Sequence, residues 1–228
     1  MTEDIRAEIP HLRKGLAACP GWVEEEFAGI PEARMGFAQQ EPPWARWPPE
    51  VQLRHMAMVP VRWLVEKLGE ALQARGYAYP PFDAAALWRG TGRHVPREVC
   101  PDKASLLAFM RSFLALAADI LDRESPEGLR AVTCLWVVDP ETVREDGAAI
   151  ERPIDFWRMA ARLHPVGVRE DPRGPGRFTV ELIAALRQIY WEFLAHIRTT
   201  QRLKGLLGLP ARVKLPVEGY LTVPKFYD

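Results

Sequence analysis

Five histidines occur in the chain, and two of them stand where a helical bundle would build a metal site. His55 lies in VQLRHMAMVPVRWL and His196 in YWEFLAHIRTTQRLKG, both long amphipathic runs. Glu192 precedes His196 by four residues, which puts both side chains on one helical face, one turn apart. At that spacing one helix gives two ligands to one ion, and His55 from a facing helix would be the third. Two imidazoles and one carboxylate suit a divalent ion such as zinc or nickel and leave coordination positions open for water or a substrate. Thr200 lies a further turn along the same face and would bond a metal-bound water. The competing reading is plainer. A single histidine on a helix face is usually satisfied packing, and Glu192 beside Arg187 or Arg198 usually belongs to a solvated face.

Two other groups bear on a pocket. Trp44, Trp47, Trp63 and Trp191 lie near the ligand-bearing segments in sequence, as core packing or as walls of a ligand cleft, with Trp47 and Trp191 nearest the proposed ligands. Arg54, Arg62, Arg198 and Arg202 form either a solvated basic face or a receiving surface for an acidic substrate.

The elements that position these residues follow from periodicity. Ile5, Ile9, Leu12 and Leu16 predict a first helix from Thr2 to about Cys19, interrupted at Pro20-Gly21. Trp22 to Phe27 reads as a second short helical piece. Pro48 and Pro49 suit the first turn of a helix running to about Arg75 and ending at Gly76, with Pro60 bending it. Val51, Met56, Val59, Trp63 and Leu64 make its apolar face. Asp102 caps a third long helix whose apolar positions run from Leu106 to Leu121. Thr179 is the expected cap of the fourth, which runs to Leu207 and stops at Gly208 and Pro210. Short helices are expected at Ala84–Trp88 and Ile154–Leu163, and residues 169–177 read as an exposed loop. The segment RAVTCLWVV, residues 130–138, has strand character without an evident partner. The result is an all-α, four-helix bundle over residues 1–210 with an enlarged middle and an extended C-terminal arm over 211–228.

Composition narrows the function. Thirty basic and thirty acidic residues cancel, which argues against a nucleic-acid or anionic-membrane partner. No apolar run approaches a membrane span. Cys19, Cys100 and Cys134 form no CxxC pair. An odd count without a signal peptide reads as reduced and cytoplasmic, each thiol more a packing group than a nucleophile.

The span from Gly21 to Leu64 resembles the N-terminal half of the DinB/YfiT-like superfamily. Trp47-Pro48-Pro49-Glu50 matches that family's entry into its second helix, and His55 stands at its first metal histidine. The segment FTVELIAALRQIYWEFLAHIRTTQRLKGLLG is similar to the family's last helix, which usually carries H-x-x-x-H and a downstream glutamine. Here the histidine pair is incomplete. If His196 is the second of the pair, the first is Glu192; if it is the first, the second is Thr200. Distance from Thr179 favours the Glu192/His196 register, and Gln201 lies downstream in either. The resemblance implies a cytoplasmic, often dimeric protein with a divalent metal between its helices, taking a small-molecule substrate. Its characterised members include transferases and isomerases that use low-molecular-weight thiols. On that basis His55, Glu192 and His196 would be ligands and Thr200 would orient a water or substrate. The alternative is a non-enzymatic binding or interaction protein of the same class with a degenerate metal site.

Overall fold

The computed structural model describes residues 2–89, 92–143 and 152–223, with side chains from residue 5 onward. The far end of the C-terminal arm and part of the enlarged middle lie outside the described residues. Among the described residues, eight α-helices, α1 (Thr2–Ala28), α2 (Pro49–Val61), α3 (Gly69–Ala74), α4 (Ala84–Leu87), α5 (Lys103–Arg123), α6 (Pro126–Ala131), α7 (Pro153–Leu163) and α8 (Leu182–Leu206), are joined by three strands, β1 (Thr133–Val137), β2 (Val168–Glu170) and β3 (Arg177–Glu181). α1 and α2 each pack along α5 and along α8, so the four helices close a ring around one core.

α1 is one helix rather than two. Ile5, Leu12, Leu16, Cys19, Val23 and Phe27 form a single fully buried stripe that crosses Pro20 without changing register. An interior proline costs about 3 kcal/mol, while burying Val23 and Phe27 returns about 3–6 kcal/mol, so the continued helix wins.

α2 also departs from its expected form. Every residue from Gln52 to Val61 is buried, so this helix has no wet face. Pro60 sits inside it, and the irregularity comes directly afterwards. Residues Arg62–Lys67 widen into π-type turns, closed by the Leu68 N–H on the Trp63 carbonyl at 3.0 Å. α3 then ends in a Schellman motif, with Gly76 at φ 79° and the Tyr77 N–H on the Leu72 carbonyl at 3.1 Å. α5 begins as anticipated, with Asp102 and Ser105 forming a reciprocal capping box. By length and composition α5 is apolar enough to cross a membrane, which corrects the expectation that no run is. Within this fold its apolar face packs on α1 and α2, and Arg111 on it pairs with Glu24 of α1.

The strand-like segment has its partner after all. β1 pairs antiparallel with β3, Leu135 opposite Thr179, and β3 pairs with β2, in the order β1-β3-β2. Thr179 is therefore a strand residue. α8 starts at Leu182, and its N-cap Glu181 makes no side-chain cap. The alternation in RFTVE explains this: Phe178 and Val180 point inward and are buried. Trp136 and Phe178 lie opposite each other and pack with Trp157, while Trp63 joins from the end of α2. The fold is thus mainly helical with a small sheet, rather than all-α.

The C-terminal arm folds back along α8. Glu26 and Lys204, both fully buried, pair beneath it, and Glu26 also accepts from Gln201 Nε2 at 3.0 Å and from the Arg212 and Val213 N–H groups at 3.1 and 3.0 Å. One carboxylate thereby joins the end of α1, the end of α8 and the arm.

Candidate metal centre

The buried polar residues of α2 explain how its sequence can be both polar and wet-face-free. Arg54 donates to the carbonyls of Val95 and Cys100, each at 3.0 Å, and to Glu50 at 3.0 Å. It therefore clamps residues 93–100 onto the helix, and its role is neither a solvated face nor a substrate contact. Arg97 also binds Glu50, at 2.8 Å. Burial alone would raise the Glu50 carboxyl, but the two guanidinium groups outweigh it and hold it low.

That clamp presents the Arg93 carbonyl to His55, whose Nδ1 lies 2.7 Å away. A carbonyl oxygen only accepts, so Nδ1 carries the hydrogen and Nε2 the lone pair. The same logic holds on α8. His196 Nδ1 lies 2.6 Å from Gln52 Oε1, and the Gln52 amide is oriented by its Nε2 donating to the Trp47 carbonyl at 3.3 Å. His196 Nδ1 is therefore a donor too, and in the neutral tautomer its Nε2, 3.1 Å from Glu192 Oε2, bears the lone pair.

Both Nε2 atoms converge on one oxygen. Glu192 Oε2 is 3.1 Å from His196 Nε2 and 3.7 Å from His55 Nε2. One ligand atom from each of the three side chains lies within 4.8 Å of the other two. Their side chains are 10, 19 and 17% exposed for His55, Glu192 and His196, so the cluster is sheltered without being sealed. Burial, aided by the neighbouring His196, pushes His55 down to about 4 against the pull of Glu192, which leaves its imidazole neutral at pH 7. Burial would raise the Glu192 carboxyl, but hydrogen bonds and charge from the imidazoles in their protonated forms outweigh that and hold it well below the usual carboxylate range. With both Nε2 atoms unprotonated, three lone-pair-bearing atoms face one another, a donor set that could hold a metal ion.

Trp47 covers the cluster. Its ring stacks on His196 at 6.3 Å and 12°, and tilts against His55 at 5.2 Å. The Arg93 guanidinium lies over its face at 4.6 Å. His94 packs edge-on against Trp47 at 4.8 Å and lies 5.7 Å from the His55 ring.

Of the remaining sequence candidates, Thr200 is fully buried and its hydroxyl donates to the His196 carbonyl at 2.9 Å. Trp191 packs against His164 and Tyr220, Trp44 lies under Arg202, and Trp63 belongs to the sheet cluster. Gln201 is occupied by Glu26 and the Val213 carbonyl. The cysteines are unpaired. Burial pushes the Cys19 and Cys100 thiols up, and Cys134 to about 11, as suits packing groups rather than nucleophiles. Sequence reasoning passed over Gln52, His94 and the Arg93 carbonyl. Gln52 had a signal, since it sits three residues before His55 on the same helix face. The loop groups had none, because only the Arg54 clamp brings them to the helix.

Compared with known proteins, the chain matches no family model, no curated relative and no solved structure.

Proposed function

We propose that this protein is a divalent-metal-dependent enzyme of the DinB-like class, with the ion held by His55 Nε2, Glu192 Oε2 and His196 Nε2. The observation that carries this reading is the tautomer pair. Each imidazole has its Nδ1–H tied to an oxygen acceptor, the arrangement by which proteins aim and strengthen metal-ligating histidines. The donor set of two nitrogens and one oxygen suits zinc, nickel or a similar ion, and three protein ligands leave room for an exogenous one. The ring of four helices and the WPPE entry to α2 add support for the class.

When bound, such an ion lowers the pKa of a coordinated thiol or water. The chain's own groups do the rest. His55 and Glu192 keep their reactive atoms oriented without rearrangement. Trp47 packs over both imidazoles and shields them from water. Arg93 lends positive charge over its ring. From the family resemblance, the substrate is a low-molecular-weight thiol and the reaction its transfer to an electrophile.

The test is the metal content of untagged protein, wild type beside His55→Ala. About one divalent ion per chain, lost in the variant, supports the ligand set and justifies a thiol-transfer screen. Metal-free wild type that also fails to bind zinc, nickel, cobalt or manganese on titration overturns the reading.

A further inference from the structure

Gln188, Glu192 and His196 recur every four residues on α8, so the face that holds the metal ligands begins one turn earlier than the ligands do. Gln188 is 2% exposed. Its Nε2 donates to Glu192 Oε1 at 2.8 Å. Its Oε1 accepts from the Tyr220 hydroxyl and from His164 Nε2, the latter at 3.1 Å.

The directions of these bonds are fixed from the far end. Arg187 Nη1, which can only donate, lies 2.8 Å from His164 Nδ1. Nδ1 is therefore the acceptor and Nε2 carries the hydrogen. That hydrogen requires an oxygen opposite it, which places Gln188 Oε1 there and turns Gln188 Nε2 toward Glu192. Every donor points the same way, from Arg187 to His164 to Gln188 to Glu192. Arg187 is itself anchored by the Glu8 carboxylate of α1 and by the Val166 carbonyl at 3.0 Å.

Tyr220 arrives from the C-terminal arm, and its hydroxyl does not hold the arm alone. Glu218 accepts from Tyr190 and lies 2.6 Å from His11 Nε2. Leu221 is fully buried. Gly219, at φ 55°, lies so close to the Trp191 ring that any Cβ would overlap it.

We propose that Gln188, His164 and Tyr220 are positioning residues of the metal centre, and that the C-terminal arm is thereby its outer wall. The chain of donors occupies Glu192 Oε1 and leaves Oε2 to the ion, so the carboxylate binds through one oxygen and a coordination position stays open for substrate. This inference rests on the metal-site reading above.

The test is Co²⁺ titration of the full metal-free chain followed by visible absorption, for wild type, Gln188→Leu and Tyr220→Phe. Gln188→Leu is expected to weaken Co²⁺ binding about 10–100-fold. It is also expected to lower the intensity of the d–d bands, because Oε1 becomes free to enter the coordination sphere. Tyr220→Phe removes only a hydroxyl, keeps the arm docked, and is expected to shift affinity and spectrum in the same direction by less. A merely structural role would change the melting temperature and leave the bound spectrum alone. Wild-type affinity and spectrum in both variants overturn the inference while leaving the metal site intact. If Gln188→Leu fails to fold, Tyr220→Phe decides by itself. Wild type that binds no Co²⁺ or other divalent ion overturns both readings together.

Discussion

Replacing Glu192 by histidine would complete the H-x-x-x-H pattern that the last helix of the resembling family carries, and on pattern alone it should tighten metal binding. The structure argues the opposite. Gln188 Nε2 donates to Glu192 Oε1 at 2.8 Å, so position 192 must present an acceptor there. A histidine ligating through one nitrogen carries hydrogen on the other, which sets donor against donor. Flipping the Gln188 amide moves the conflict to His164 Nε2 and the Tyr220 hydroxyl, both of which donate to Gln188 Oε1. A buried donor left without its partner costs about 1–3 kcal/mol, and the lost carboxylate also removes the one negative charge facing the ion. Together these amount to roughly a ten- to hundredfold weaker Kd, at about 1.4 kcal/mol per tenfold. Competition against a chromophoric zinc chelator reads that change directly. Adding Gln188→Leu removes the opposing donor, so the double variant should bind better than Glu192→His alone. Tighter zinc binding by Glu192→His than by wild type would refute the argument.

Gln52→Leu, which removes the acceptor for His196 Nδ1, should weaken zinc binding about 10–100-fold, and Gln52→Glu should recover most of it; equal weakness in both variants would reduce Gln52 to packing. Burial and the Arg187 guanidinium push His164 down to about 3 from an unfolded value of 6.5, so the unfolded chain takes up the proton first. The His164 contribution to the stability of the metal-free protein is thus complete above about pH 6.5, falls by up to about 1.4 kcal/mol per pH unit toward pH 3, and levels off below. Urea unfolding at pH 6.5 and 4.5 should show a smaller loss for His164→Gln than for wild type, and an identical loss would contradict the assignment. Lys204→Met strands the buried Glu26 carboxylate and should destabilise by about 3–5 kcal/mol, with Glu26→Gln added in the same chain restoring part of it; thermal melts of both variants check this.

The four long helices were legible because their apolar stripes outlast local interruptions. The apparent break at Pro20 came from weighing one proline above the register shared by Cys19, Val23 and Phe27 with Leu16. The sheet was half legible. TCLWV has strand character on its own, but its partner RFTVE sits at the entrance of α8, where a threonine before an apolar run looks like a helix cap. Pairing across more than forty residues leaves no local mark, so β1 read as unpaired and β3 as helix. α2 shows the limit of periodicity in the other direction. Arg54 read as part of a basic face, yet it is buried together with Gln52 and His55 because each has found a backbone or side-chain partner. Hydrophobic spacing registers polarity and is blind to satisfaction.

The same distinction governs the site. Glu192 and His196 were visible as a pair because helix geometry turns i,i+4 spacing into one shared face, while His55 was nominated as the histidine of a second long helix, and the structure brings the three together. What aims them was invisible wherever it came from a backbone carbonyl or from a distant segment, as with Arg93, His164 and Tyr220. Thr200 shows the opposite case. It shares the ligand face by spacing, but a buried threonine one turn beyond His196 gives its hydroxyl hydrogen to the i−4 carbonyl, which leaves only its lone pairs for a neighbouring donor. Gln188 had the same spacing in the opposite direction and does hold Glu192. The difference lies in reach: a glutamine extends past its own helix backbone to the carboxylate one turn on, whereas a threonine hydroxyl does not. Spacing therefore nominates positions along α8, and side-chain length decides which of them serve the centre.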